Sequence, residues 1–330
     1  MTHQNLPTNP ASGPVGVPGP DASPQGGSLL LDAAPDAPIA EQGSPAEATA
    51  ARHGGRPARQ GAAPGSSLSF GGVLRSERIK LLSLRSVKIT LLLTLAMGIG
   101  LAGLMGFAGL EMVQAQGGAD PSPTVLQMYL LTVSTFAAPF LAMVFGVLGV
   151  FSVTSEYSSG MILSTLAAAP RRGQVFVAKA LVLSAIAAVV AFIIAAVGLL
   201  IAVIYFPASA SQILTWEVLS GILGTVVYQV LIALLAFGIA ALLRSTAGGI
   251  SAIVGLIFVL PIGFQVLMIT GWAWIETAMQ YLPLPLGSSL SSGFSGETVP
   301  SYGIAALTMA IWTAVALVPA FFSFRRRDAK

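Results

Sequence analysis

Residues able to carry acid–base, nucleophilic or metal chemistry are scarce in this sequence and unevenly placed. Its two histidines, His3 and His53, both precede the first long apolar run, and cysteine is absent. A Ser–His or zinc–His centre within the apolar part is thereby excluded, as are a thiolate nucleophile, a thiolate metal site and a disulfide scaffold. No G-x-x-x-x-G-K-[ST] sequence occurs, so the chain lacks the P-loop route to ATP binding and hydrolysis. The expectation is a protein that is not itself an enzyme, with no cofactor and no nucleic-acid partner. The polar chemistry that remains is concentrated in two short segments. One contains Glu77, Arg78, Lys80 and Arg85. The other runs from Thr154 through Glu156, Tyr157 and Gly160 to Arg171 and Arg172.

The elements that hold these segments follow from composition. Of 330 residues, 55% are hydrophobic and 9% charged, against about 25% charged in soluble domains. The charges leave six long gaps, each exceeding the roughly 20 apolar residues a helix needs to cross a hydrocarbon core. The fold expected is an all-α membrane protein with six transmembrane helices, at about 87–110, 127–153, 177–206, 217–243, 247–270 and 301–324, within a membrane domain of 87–330. Residues 1–67 hold eleven of the 21 prolines and no hydrophobic period, which reads as a disordered Pro/Gly/Ala-rich tail without a signal peptide. Residues 68–86 mix apolar and basic positions: Phe70, Leu74, Leu81 and Leu84 recur at helical offsets, while Arg75, Arg78 and Arg85 are free to meet lipid headgroups. That is the pattern of an amphipathic interfacial helix.

An even number of spans puts both termini on one side. Thirteen Lys and Arg residues flank the spans, and all fall in the segments that share a side with the termini: Arg75 to Lys88, Arg171 to Lys179, Arg244, and Arg325 to Lys330. The alternate loops carry only Glu111, Asp120, Glu217, Glu276 and Glu297. The positive-inside rule then predicts a multi-pass protein of the cytoplasmic membrane with both termini cytoplasmic, and Trp216, Trp272 and Trp274 at the outer interface. Small residues at four-residue spacing, Gly98, Ala102 and Gly106 in span one and Ala142 and Gly146 in span two, mark close helix contacts, within one chain or between copies. Pro139 and Pro261 interrupt spans two and five, as kinks or as breaks that free backbone carbonyls.

The segment from Thr154 to Arg172 opens polar, continues with Met161, Ile162, Thr165 and Leu166 at helical spacing, and stops at Pro170. A short interfacial helix fits it. Here, and in Ser76–Ser86, the sequence resembles the permease subunits of type-2 ABC transporters; Pro170-Arg171-Arg172 and Lys179-Ala180-Leu181 belong to the resemblance, which covers residues 69 to 327. It implies that Glu77, Arg78, Lys80 and Arg85 lie on a connecting helix at the inner leaflet. It also implies that Glu156, Tyr157, Gly160, Arg171 and Arg172 belong to a coupling segment seated in a separate P-loop ATPase subunit. The partners implied are that ATPase, a second permease protomer and membrane lipid, and the activity implied is export of an apolar or amphipathic substrate. The same residues would look alike if they only oriented the loop, Glu156 near a helix N-terminus and the arginines near headgroups. Residues 271–300, rich in Pro, Gly and Ser, read as a plain outer loop, whereas the resemblance implies short re-entrant helices there. Two readings from other classes stand beside the permease: a membrane scaffold or sensor that transports nothing, and an independent secondary transporter.

Overall fold

A chain this apolar satisfies its backbone N–H and C=O groups inside the bilayer only by forming helices or a closed barrel, and the described residues are all-α. The computed structural model describes residues 69–117, 120–158, 172–294 and 298–326; the expected tail lies outside them. Among the described residues six helical segments are long and apolar enough to cross a membrane, which makes this a multi-pass membrane protein. Helix α1 (Phe70–Ser83) precedes span one, α2 (Arg85–Gly117). Span two consists of α3 (Pro123–Thr135) and α4 (Ala138–Ser158), span three of α5 (Arg172–Tyr205) and span four of α6 (Trp216–Leu243). Span five joins α7 (Thr246–Val254), a π-helical turn at Gly255–Val259 and α8 (Leu260–Leu267). Two short helices, α9 (Ala273–Gln280) and α10 (Pro283–Ser291), lead to span six, α11 (Tyr302–Arg326).

Several helices outrun the spans read from hydropathy, because hydropathy marks only the lipid-embedded turns while backbone hydrogen bonding continues into the polar interface. The clearest case is Thr154–Ser158, expected to open an interfacial helix and found instead as the last turns of α4. The rest of that expected helix, with Gly160 and Arg171, lies outside the described residues. Residues 68–86 are also not one helix. Leu84 is extended, with φ −68° and ψ 122°, and Arg85 starts α2, so it belongs to the first span rather than to the interfacial helix. Nor is the buried stripe of α1 the expected one. Val73, Glu77 and Leu81 face inward, whereas Phe70 and Leu84 are turned out. Val73 packs on Val175 and Ala178 of α5, so the inner face of α1 is chosen by docking on a neighbouring helix.

Helix α6 is the centre of the bundle, packed by α4, α5 and α11. Its approach to two of them is set by glycine. A Cβ on Gly238 would stand 2.8 Å from the Ala316 backbone of α11, and one on Gly149 of α4 would collide with the Ala233 carbonyl of α6. Backbones that close gain dispersion contact where no hydrophobic effect operates between helices. The two small-residue stripes are consumed in the same way within the chain. Gly98 and Gly106 receive Ile194 and Tyr205 of α5, and Gly146 receives Ile253 of α7.

Spans two and five are both interrupted. Pro139 has no N–H to offer the Thr135 carbonyl, and α3 and α4 are separated by a turn at Phe136 and Ala137. Gln229 of α6, fully buried, donates to the Ala138 carbonyl at 2.8 Å and ties the break to the central helix. In span five the π-helical turn ends just before Pro261. The stretch between spans five and six is not a plain loop. Pro283 and Pro285 fall in the first turn of α10, where the missing N–H groups would have no helical acceptor. Helix α10 then lies against α6: Ser291 Oγ accepts from Thr225 Oγ1 at 3.0 Å, and Gly287 leaves room for the Tyr228 ring.

Candidate functional site

Four charges that the sequence spreads over a hundred residues meet at the basic end of the bundle. Lys179, in the second turn of α5, donates from Nζ to Glu77 Oε2 and to Glu156 Oε1, both at 2.6 Å. Lys80 donates to Glu77 Oε1 at 2.9 Å and to Glu156 Oε1 at 3.3 Å. The two carboxylates therefore share two ammonium groups, and the cluster has no net charge. Glu77, Glu156 and Lys179 have side chains 2%, 5% and 4% exposed, and Lys80 closes the cluster towards solvent at 36%.

Local structure explains why each is there. On α1, Glu77 stands one turn from Val73 and from Leu81, so the packing that buries those two buries the acid. Glu156 lies near the C-terminus of α4, where the helix dipole disfavours an anion; Lys179 supplies the opposite charge. Burying such ions costs several kcal/mol each unless the geometry compensates, and short, charge-assisted hydrogen bonds provide that here. Burial pulls the Lys80 ammonium down, but its hydrogen bond to Glu77 and the charges of Glu156 and Glu77 outweigh this, so its pKa lies above the ordinary 10.5.

Beside the cluster, the Arg244 guanidinium stands 5.5 Å from the centre of the Tyr157 ring, a cation–π distance. Arg244 ends α6 in the left-handed region, φ 52° and ψ 24°, its N–H donating to the Ala240 carbonyl; this C-terminal position is one that glycine usually takes. At this site two buried atoms, Glu156 Oε2 and Arg244 Nε, have no hydrogen-bond partner among the described residues.

Glu77 and Lys80, expected on the interfacial helix, and Glu156 and Tyr157, expected in the separate coupling segment, are brought into this one site. Arg78 is exposed on the outer face of α1, and Arg85 is exposed at the start of α2. Arg172 goes elsewhere: it opens α5 and lines a groove of about 670 Å³ with Arg325, Phe70 and Phe321. In the sequence Arg244 stands only as a topology marker, and Lys179 as that and as part of the resemblance, with no role given to either. The available signal was Lys179 itself, a lone cation in the apolar run from Val175 to Val182, since an ionisable residue within a span is a functional candidate.

At the acidic end a second feature lies between α3, α6 and α10, a cavity of about 1120 Å³. Hydroxyls of Thr124, Thr132, Thr135, Ser288, Ser291 and Ser292 line it, together with the Phe136 and Phe140 rings. It is large enough for a ligand of drug size or more, and it opens beside the break in span two.

Fold and site together define a multi-pass helical membrane protein with a buried ionic joint at one end and a hydroxyl-lined cavity towards the other. The chain belongs to the family described as "Protein of unknown function (DUF2705)", which matches residues 93–329. The match takes in Glu156, Tyr157, Lys179 and Arg244 as well as the described wall of the cavity. It begins after α1, leaving Glu77 and Lys80 outside. No curated protein matches the chain.

Proposed function

We propose that this chain is the transmembrane permease subunit of an ATP-driven exporter of the type-2 ABC class, with its basic end in the cytoplasm and its ATPase on a separate polypeptide. The single observation that carries the reading is the ionic joint. Glu77, Glu156 and Lys179 tie α1 to the end of α4 and the start of α5, the two helices that flank residues 159–171. A load applied to that connection reaches three helices at once, because a buried ion cluster resists separation of its members far more than an apolar contact does. On this reading ATP hydrolysis falls to a partner, because the sequence has no P-loop. A second protomer of the same or a related chain completes the pathway, and the substrate is apolar or amphipathic.

The test is co-expression with P-loop ATPases that lack spans of their own, followed by co-purification and ATPase assay. A stable complex whose hydrolysis responds to Glu156→Gln is the expected result. If none of the ATPases associates with the chain and none is stimulated by it, the proposal fails. The breaks in spans two and five favour a second reading, an ion-coupled transporter, since discontinuous helices offer backbone carbonyls to cations. Gradient-driven uptake by the chain alone in liposomes would select that reading over the first.

A further inference from the structure

The cavity at the acidic end has a chemistry of its own. Glu217 carries the one formal charge among the described residues that line it, and no Lys or Arg does. It stands in the first turn of α6, at the mouth. Tyr228 lies three turns further along the same helix, about 16 Å deeper at 1.5 Å per residue, which is close to the middle of a hydrocarbon core about 30 Å thick. The walls between change character with depth. Thr124, Gln127 and Ser292 accompany Glu217 towards the mouth, whereas at the level of Tyr228 the Phe136, Phe140 and Leu284 side chains join the hydroxyls of Thr135 and Ser288. A carboxylate at the membrane surface, with aromatic and aliphatic side chains added to the hydroxyls only beneath it, matches a molecule with a charged head and a largely apolar body.

One further observation narrows the head, and another marks the bottom of the cavity. The loops on this side carry acidic residues and no Lys or Arg, so the field over the mouth gathers cations and repels anions. At the deep end the Tyr228 side chain, 1% exposed, keeps a hydroxyl with no hydrogen-bond partner. Its ring is held in place by the Gly287 backbone of α10, where even a Cβ would stand 2.5 Å from the ring.

We infer that this cavity binds amphipaths with a cationic head, an amine or guanidinium at Glu217 and an apolar body running down past Phe136 towards Tyr228. The inference names the substrate class of the exporter proposed above and rests on that reading for its role in transport, though not for the binding itself.

The test is equilibrium binding of radiolabelled dodecylammonium to the full chain in nanodiscs, measured as the excess over empty nanodiscs of the same lipid, with dodecanoate as the probe of opposite charge. Saturable excess binding of dodecylammonium and none of dodecanoate are expected. Glu217→Gln should weaken amine binding about tenfold, and Glu217→Lys should reverse the preference. Equal binding of the two probes would mean that the cavity holds any chain, bilayer lipid included, and would overturn the inference. So would undiminished binding in a folded Glu217→Gln variant. Binding is read without an ATPase, so the two proposals fail separately: absence of any ATPase partner refutes the exporter and leaves the cation site, while anion-tolerant binding with intact ATPase association does the reverse.

Discussion

At the scale of single residues, the ion cluster behaves as a unit. Lys179 is hydrogen-bonded to two buried carboxylates, so Lys179→Met leaves both facing Lys80 alone. Breaking a buried pair from one side costs about 3–5 kcal/mol, and the unfolding midpoint of the variant in detergent should fall accordingly. Combining Lys179→Met with Glu156→Gln should cost less than the sum of the two single changes, since each removes the other's stranded charge. Lys80 sets a pH dependence of definite sign. Its pKa is raised by folding, so its contribution is complete below the ordinary lysine value of about 10.4 and is lost as pH climbs through the higher folded value. The Lys80→Met variant should therefore be less stable than the parent near neutral pH, and the two should converge in strong alkali. Thermal melts across that range check it.

At the scale of elements, glycine positions decide how helices meet. Gly238 and Gly149 admit neighbouring backbone, whereas Gly103 on α2 has nothing within 4 Å of its would-be Cβ. Leucine at Gly238 or Gly149 must push helices apart, and overpacking of that kind costs about 1–3 kcal/mol or more; Gly103→Leu should be nearly silent. Yield of monodisperse protein and its melting temperature separate the two classes. The same reasoning explains why α10 forms from a Pro-rich stretch. Its two prolines spend their missing N–H groups in the first turn, and Gly224 and Gly287 let α6 and α10 touch closely enough for Leu286 and Leu290 to be buried. Proline content alone points to a loop; the partner helix reverses the outcome.

At the scale of the whole molecule, the asymmetry of charge gives the orientation a direct test. The chain has no cysteine, so single cysteines report without background. Cysteine placed at Ser211, exposed between α5 and α6, should react with a membrane-impermeant maleimide in intact cells. Cysteine at Ser83, exposed at the end of α1, should react only after permeabilisation. The opposite labelling pattern would invert the topology and remove the basic end from the cytoplasm, and with it the proposed ATPase contact.

The linear sequence by itself determined the six apolar helices, because a bilayer leaves the backbone little else to do and the length of each apolar run is a local property. It also separated the basic end from the acidic one, and it carried Glu77, Lys80, Glu156 and Tyr157 as polar residues worth attention. Only the tertiary structure decided which of them meet. Glu77 and Lys179 are 102 positions apart, and their contact depends on which face α1 turns to α5, a choice made by Val73 and Leu81 packing and hidden from a hydropathy pattern that favoured Phe70 and Leu84. It decided likewise that Arg172 and Arg85 stand outside the cluster, and that the break at Pro139 opens onto a cavity walled by α6 and α10. Such facts belong to pairs of surfaces, and a one-dimensional pattern records only one member of each pair.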